Sequence, residues 1–318
     1  MTTARAGSRS RARAVAAGMV ADRLLGEPPA AVHPVAAFGA VMRAVEGGLW
    51  RDDRWRGTLH ATTGVALGAG AGRLVGSTAA CTWLAVAGRS LAAAAGSVAD
   101  ALDEGDLVQA RALLPTLVGR DPAGLDEKEV ARAVVESVAE NTVDAVVAPA
   151  LWATAGGAAG ALGYRAVNTL DAMVGHRSAR YGRYGWASAR LDDLAGWVPA
   201  RATAALVAGV RPGSAGAVWE AVRTQAPAHP SPNAGVAEAA FAAALGLRLG
   251  GENRYYGRVE LRPPLGTGRP AEAGDIARAV RLSGHVGLAL AAALLLGPGR
   301  LRAGTPGRLR AGTPGLRR

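Results

Sequence analysis

The chain reads as an all-α, polytopic helical membrane protein of about four spans, with polar helical loops forming its site. Three observations predict this. Half of the residues are apolar and only 4% are aromatic. The apolar half is mainly Ala, Val, Leu and Gly, which suits close packing of helices through small side chains better than the alternation of strands. Charge-free runs at residues 145–164 and 282–299 approach the roughly 20 residues that cross a bilayer. Basic residues gather at both ends, as positive-inside topology or contact with anionic headgroups would have it.

Taken in order, residues 1–13 carry Arg5, Arg9, Arg11 and Arg13 with no acid, and read as a basic disordered tail. Residues 14–21 are apolar but short, and Asp22-Arg23 follow at once, so no signal peptide is expected. Asp22-Arg23-Leu-Leu-Gly26-Glu-Pro28 with His33-Pro34 reads as a turn. Residues 57–99, broken only by Arg73 and Arg89, predict a hairpin of two spans with polar residues turned inward. Leu125-Asp126-Glu127-Lys128-Glu129 starts a helix with acids in its first turn. The run at 145–164 supplies a further span. Its Gly156, Gly157 and Gly160 would each cost a soluble helix about 1 kcal/mol relative to Ala, and suit close packing within a membrane. Residues 202–210 are a shorter candidate. Proline-rich loops fall at 26–34, 226–232 and 262–270. Asp275 caps a final helix through Ile276, Val280 and Leu282. Residues 14–299 thus form a single helical, membrane-embedded catalytic domain. Residues 300–318, where Arg-Leu-Arg-Ala-Gly-Thr-Pro-Gly occurs twice in tandem, form a disordered tail. The competing reading is an Ala-rich soluble bundle, since a mean hydropathy of +0.14 is low for a polytopic protein.

Composition also excludes function classes. Ten of the 36 basic residues lie in the two tails, leaving 26 against 25 acids in the body, which is no nucleic-acid surface. Cys81 is the only cysteine, in an apolar context where an inert buried thiol is the default, so no intrachain disulfide or cysteine-based zinc site can form. Lys128 is the only lysine, which rules out a Walker-type phosphate loop.

Three polar blocks could carry chemistry. Arg132, Glu136, Glu140 and Asp144 recur every four residues and form one helical stripe, with Asn141 beside it. Acids at the mouth of an apolar helix can hold Mg2+ through oxygen ligands, and Mg2+ in turn holds phosphate; a solvated, salt-bridged helix face is the alternative. Next come Arg165, Asn168 and Asp171, then Arg190, Asp192, Asp193 and Arg201. Asx pairs beside guanidinium groups suit a metal-bound phosphate, and equally a structural polar network. The last block is His229-Pro-Ser231-Pro-Asn233-Ala-Gly235. Its two prolines rigidify an extended loop, and Asn233 and Gly235 offer backbone amides to an anion.

Together these blocks resemble the adenosylcobinamide-phosphate synthase family (CobD/CbiB). The resemblance is carried by Asp-Arg-x-x-Gly-x-Pro at 22–28 with His33-Pro34, Gly-Arg-Asp at 119–121, and Glu-Ser-Val-Ala-Glu-Asn at 136–141 with Asp144 and Pro149. It continues in Asn-Thr-Leu-Asp-x-Met-Val-Gly at 168–175, Ala-Arg-x-Asp-Asp at 189–193, Pro-Ala-Arg at 199–201, and His-Pro-Ser-Pro-Asn-Ala-Gly at 229–235. The matches are collinear from Asp22 to about Leu282; Ala172 departs, standing where the family often has Ser. The resemblance implies a multi-pass protein of the bacterial inner membrane that joins adenosylcobyric acid to (R)-1-amino-2-propanol or its O-phosphate. ATP is implied as co-substrate, because a carboxylate needs a leaving group before an amine displaces it, and Mg2+ is implied to screen the phosphates. A complex with the enzymes that later assemble the nucleotide loop is also expected, and no nucleic acid. Residue types then suggest roles. Glu136, Glu140, Asp144 and His229 are the expected catalytic groups. Asp171, Asp192 and Asp193 are expected at metal. Arg120, Asn141, Arg165, Asn168, Arg190, Arg201, Ser231 and Asn233 are expected at substrate or phosphate. The rival functions are a membrane-embedded Mg2+-dependent transferase on a lipid phosphate and a small-solute transporter. The first usually spaces its aspartates by four, which neither Asn168/Asp171 nor Asp192/Asp193 does, and the second predicts an internal duplication, of which there is none beyond the tail repeat.

Overall fold

A computed structural model describes residues 2–29, 33–176, 178–255 and 258–296. The repeat at 300–318 lies outside them. The first half of the chain folds as α1 (Thr2–Leu25), α2 (Pro34–Leu49), α3 (Arg54–Val75), α4 (Thr78–Ala85), α5 (Gly88–Asp103) and α6 (Leu107–Leu113). A long helical path follows: α7 (Glu127–Thr142), a π-helical turn (Val143–Val147), α8 (Ala148–Leu170) and a second π-helical turn (Asp171–Gly175). Then come α9 (Trp186–Val210), α10 (Ala215–Thr224), α11 (Ala234–Leu245), strands β1 (Leu247–Tyr255), β2 (Arg258–Leu265) and β3 (Arg269–Pro270), and α12 (Ala273–Leu296).

Local chemistry explains most of the boundaries. Asp126 Oδ1 accepts from the Glu129 amide at 2.8 Å, while Glu129 Oε2 accepts from the Asp126 amide at 2.9 Å. This reciprocal cap satisfies two of the amides that a helix start leaves orphaned, and places α7 where its acids predicted it. Asp275 lies inside the first turn of α12 and accepts from the Glu272 amide at 2.9 Å, so that helix begins three residues earlier than an Asp275 cap implies. Helix α11 is apolar almost all round, and with the Ala and Val positions of α7 it forms the buried centre. Helix α3 lies against α8 through Gly64, Gly68 and Gly72. A Cβ at Gly72 would stand 2.3 Å from the Ala158 carbonyl oxygen, so glycine is what lets these two backbones touch.

Four expectations change. Residues 2–13 belong to α1 instead of a disordered tail, and Arg11 Nη1 donates to the Ala155 carbonyl at 2.6 Å. The acceptor is available because Gly157, at φ 63°, breaks α8 and leaves the preceding carbonyls without helical partners. Gly157 therefore serves a break in the 145–164 run, and the chain there is not one straight span. Third, the helical class holds, with one addition that the residue pattern did not show. Strands β2, β1 and β3 form a small sheet in that order, antiparallel between β1 and β2 and parallel between β1 and β3. Pro263 and Pro264 fit because β2 is an edge strand. Fourth, two helical segments among the described residues are long and apolar enough to cross a membrane, Glu127–Gly175 and Ala273–Leu296, against about four expected. The 57–99 region forms most of α3, all of α4 and part of α5, and Arg54, Arg56, Arg73 and five glycines lower the hydropathy of α3.

Candidate active site

The stripe on α7 meets the rest of the site in two lobes. The first is built around Glu136, which is 2% exposed and fully engaged. Its Oε2 accepts from Arg120, carried by the loop before α7. Its Oε1 accepts from the Gly250 amide at 2.8 Å and lies 3.4 Å from Arg132 Nη1. Arg132 in turn donates to the carbonyls of Gly250 (2.7 Å) and Glu252 (2.8 Å) and to Asn253 Oδ1 (3.1 Å). Gly250 and Gly251 adopt φ values of 83° and 105° in a bulge of β1, a left-handed conformation that favours glycine. Glu136 thus fastens the sheet to α7 and fixes Arg120. A cavity of about 630 Å3 opens beside this bulge, lined by Arg132, Arg248 and Arg262 among apolar and glycine positions.

His229 joins the same lobe. Arg262 Nη1 lies 3.0 Å from His229 Nε2, and a guanidinium can only donate, so Nε2 accepts. Nδ1 lies 3.1 Å from both the amide and the carbonyl of Ser231; with Nε2 accepting, the ring proton belongs on Nδ1 and goes to the carbonyl. Burial, with Arg262 and Arg120 adding, lowers the imidazole's proton affinity, so it is neutral near pH 7. Burial pushes the Glu238 carboxyl well above the usual carboxylate range, and the charges of Glu136 and Glu140 push it further. At the 3.7 Å approach of His229 to Glu238, burial therefore works against charge on both groups.

The second lobe gathers around Asn168 on α8. Its Nδ2 lies 3.3 Å from Asp144 Oδ2 and 3.4 Å from Asp192 Oδ1, and its Oδ1 lies 3.5 Å from Arg165 Nη1. Each acid at a helix junction is held by a π-helical turn, a feature frequent at functional sites: Asp144 lies in the first and Asp171 opens the second. A Cβ on Gly175 would fall 1.8 Å from Asp171 Oδ1, so glycine at the end of the Asn-Thr-Leu-Asp-x-Met-Val-Gly run makes room for that carboxylate. Burial raises the Asp192 carboxyl to about 7; the charges of Asp171, Asp193 and Glu140 add to this, and the Asn168 hydrogen bond opposes it. Glu140 joins the lobes, since its charge acts on both Asp192 and Glu238. Its own side chain is exposed and makes no hydrogen bond to the described residues.

Other expected site residues are used inside the chain. Arg201 stacks on Trp197, with Cζ 4.3 Å from the ring centroid, and donates to the Pro232 carbonyl at 3.1 Å. Asn233 Nδ2 donates to the Asp193 carbonyl at 2.8 Å, over Gly196, where a Cβ would come within 2.6 Å of it. Ser231 Oγ accepts from the amides of Asn233 and Ala234 at 3.3 and 3.1 Å. The Asn233 amide, expected to face an anion, thus starts α11 instead, and the block pins its loop to α9. Asn141 donates to the Ser137 carbonyl at 2.9 Å. Arg190 pairs with Asp193 at 3.4 Å, both toward solvent. Among the described residues, no three carboxylates, imidazoles or thiolates converge as a ready metal ligand set. Arg262 was not among the expected site residues. The alternation of Val259 and Leu261 with Arg258, Glu260 and Arg262 was the available signal for a strand that carries that arginine.

The comparisons follow the same residues. The family model described as CobD/Cbib protein matches residues 15–283. A Mycobacterium tuberculosis relative named cobalamin biosynthesis protein CobD is 48% identical over 302 residues, covering 90% of this chain and 96% of the relative. Proteins of the same name from Chromobacterium violaceum and Geobacter metallireducens are each 44% identical, over 88% and 79% of this chain and 96% and 85% of their own lengths. No solved structure matches. With the family model and these relatives spanning both lobes, the chain belongs to the CobD/CbiB family.

Proposed function

We propose that this protein acts in cobalamin biosynthesis as a membrane-bound ligase, forming the amide between adenosylcobyric acid and aminopropanol or its O-phosphate. The observation that carries the reading is Glu140. It is an exposed, unbonded carboxylate between a lobe of arginines (Arg120, Arg132, Arg262) and a lobe of acids (Asp144, Asp171, Asp192). An amide-forming enzyme needs that polarity: cationic donors for phosphate or corrin carboxylates, and an anionic group for the ammonium nucleophile.

In this reading Glu140 holds the ammonium and takes its proton, since only the free amine attacks a carbonyl. Arg120, fixed by Glu136, and Arg262, oriented by His229, receive the negative oxygens of the activated carboxyl. ATP would supply the activation. Mg2+ fits the second lobe by donor chemistry: it needs only one or two carboxylates when waters and phosphates complete its shell. Asp144 and Asp192, flanking Asn168, are acids of that kind without an ion pair among the described residues, with Asp171 and Asp193 near enough to act on Asp192. Bound there, Mg2+ would screen phosphate charge.

Membrane attachment is supported by the two long apolar helices and by large apolar side chains in water's reach, among them Leu74 at 90% and Trp55 at 73% exposure. Exposed Trp186 and Trp197 lie under Arg54 and Arg201, an Arg–Trp pairing suited to a headgroup level. The test is ligation by purified full-length protein, with rescue of a cobalamin auxotroph and cobinamide feeding as bypass control. Glu140→Ala and Asp171→Ala should each abolish amide formation while membrane insertion persists. Near-wild-type turnover in both would overturn the assignment.

A further inference from the structure

A second cavity, of about 420 Å3, lies across α7 from the carboxylates. Val138 lines it, and at two residues from both Glu136 and Glu140 it occupies the opposite face of the helix. The other walls are apolar: Met19 and Val20 of α1, Leu91 and Ala92 of α5, Leu288 and Ala291 of α12. Its lining also includes the exposed cations Arg23, Arg89 and Arg281, with His285. Arg23 and Arg281 have no carboxylate partner among the described residues. Arg23 reaches α12, since a Cβ at Gly284 would stand 3.5 Å from its Nη1. One acid belongs to this wall, Asp22 of the Asp-Arg-x-x-Gly-x-Pro run. It is 3% exposed, and its Oδ2 accepts from the Gly88 and Arg89 amides at 3.1 and 3.3 Å. Its Oδ1 is buried without a hydrogen-bond partner. Val20, Leu24 and Leu288 carry the apolar surface outward from the cavity.

We propose that this cavity binds an anionic phospholipid, with one acyl chain between α1, α5 and α12 and the phosphate at Arg23 and Arg281. The apolar walls would leave the hydroxyls of a soluble nucleotide or sugar unpaired, at a cost that an acyl chain does not carry. The unpaired cations complement a phosphate. Asp22 Oδ1 offers an acceptor to a headgroup hydroxyl, which a glycerol headgroup has and a choline headgroup lacks. The inference rests on the membrane reading above, because α12 is one of the two helices apolar enough to cross a bilayer.

The test uses full-length protein in detergent, titrated with short-chain phosphatidylglycerol or phosphatidylcholine and read by native mass spectrometry. Phosphatidylglycerol should bind roughly tenfold more tightly. Arg23→Gln with Arg281→Gln, both surface changes, should erase that preference. Ala92→Phe, which fills the cavity, should remove binding of both lipids while the thermal transition is kept. Equal binding of the two lipids, binding of neither, or undiminished binding to a folded Ala92→Phe protein would each overturn the proposal. Recovery in the soluble cell fraction with phosphatidylglycerol binding intact would overturn the membrane reading alone.

Discussion

Replacing Glu136 by Ala separates an anchor from a catalyst. The carboxylate is 2% exposed and neutralises two guanidinium groups whose side chains are only 11% and 13% exposed. It also satisfies the Gly250 amide in the β1 bulge. Removing it leaves Arg120 and Arg132 facing one another without the charge between them, and leaves a buried amide unpaired. Breaking a buried pair from one side costs roughly 3–5 kcal/mol. For a chain of this length about 2 °C of Tm follows each kcal/mol, so the transition should fall by roughly 6–10 °C. Glu136→Gln keeps an acceptor for the Gly250 amide and removes only the charge, and should fall between the two. The assay is thermal unfolding of detergent-solubilised protein, followed by circular dichroism and run beside ligation. An unchanged Tm in Glu136→Ala together with lost ligation would refute the reasoning and make Glu136 a catalytic group.

Two further outcomes follow from the second lobe. Asp192 binds its proton more tightly in the folded protein, at about 7 against an ordinary 3.8. The folded state therefore holds more protons between those values, and stability should fall as pH rises from about 4 to 7. Asp192→Asn should flatten that fall, and Mg2+ above pH 7 should raise Tm in wild type more than in the variant; identical pH profiles would contradict the placement of Asp192. Gly175→Ala puts a Cβ 1.8 Å from Asp171 Oδ1. The short side chain can move where backbone cannot, so Tm should hold within a few degrees while ligation drops. Full activity would show that the position of Asp171 is not critical.

Much of the site was legible because its spacing is local. Glu136, Glu140 and Asp144 recur at the helical period, and the capping box that starts α7 lies within four residues. What those side chains do was not legible. Glu136, Glu140 and Asp144 look alike in sequence, yet the first is saturated by Arg120 and a sheet amide from residue 250, the second stands unbonded, and the third shares Asn168 with Asp192. Arg201, Ser231 and Asn233 have the chemistry of phosphate ligands, but backbone groups of their own loop, of the α11 start and of α9 take up their donors and acceptors. Pro263 and Pro264 masked a strand, because their tolerance depends on β2 being an edge, and that is settled by its pairing with β1.

The sequence by itself determined the helical class, the positions of the acid and arginine blocks, and the family. Each rests on residue type and on spacings of three to four, which a helix reads within one or two turns. Only the tertiary structure decided which acid is an anchor and which is open. It also decided that Gly157 breaks a helix whose carbonyls Arg11 then meets, and that Arg262 belongs beside His229. Those outcomes are set by partners 16 to 144 residues away. Burial and charge are properties of an environment assembled from the whole chain, so no local pattern encodes them.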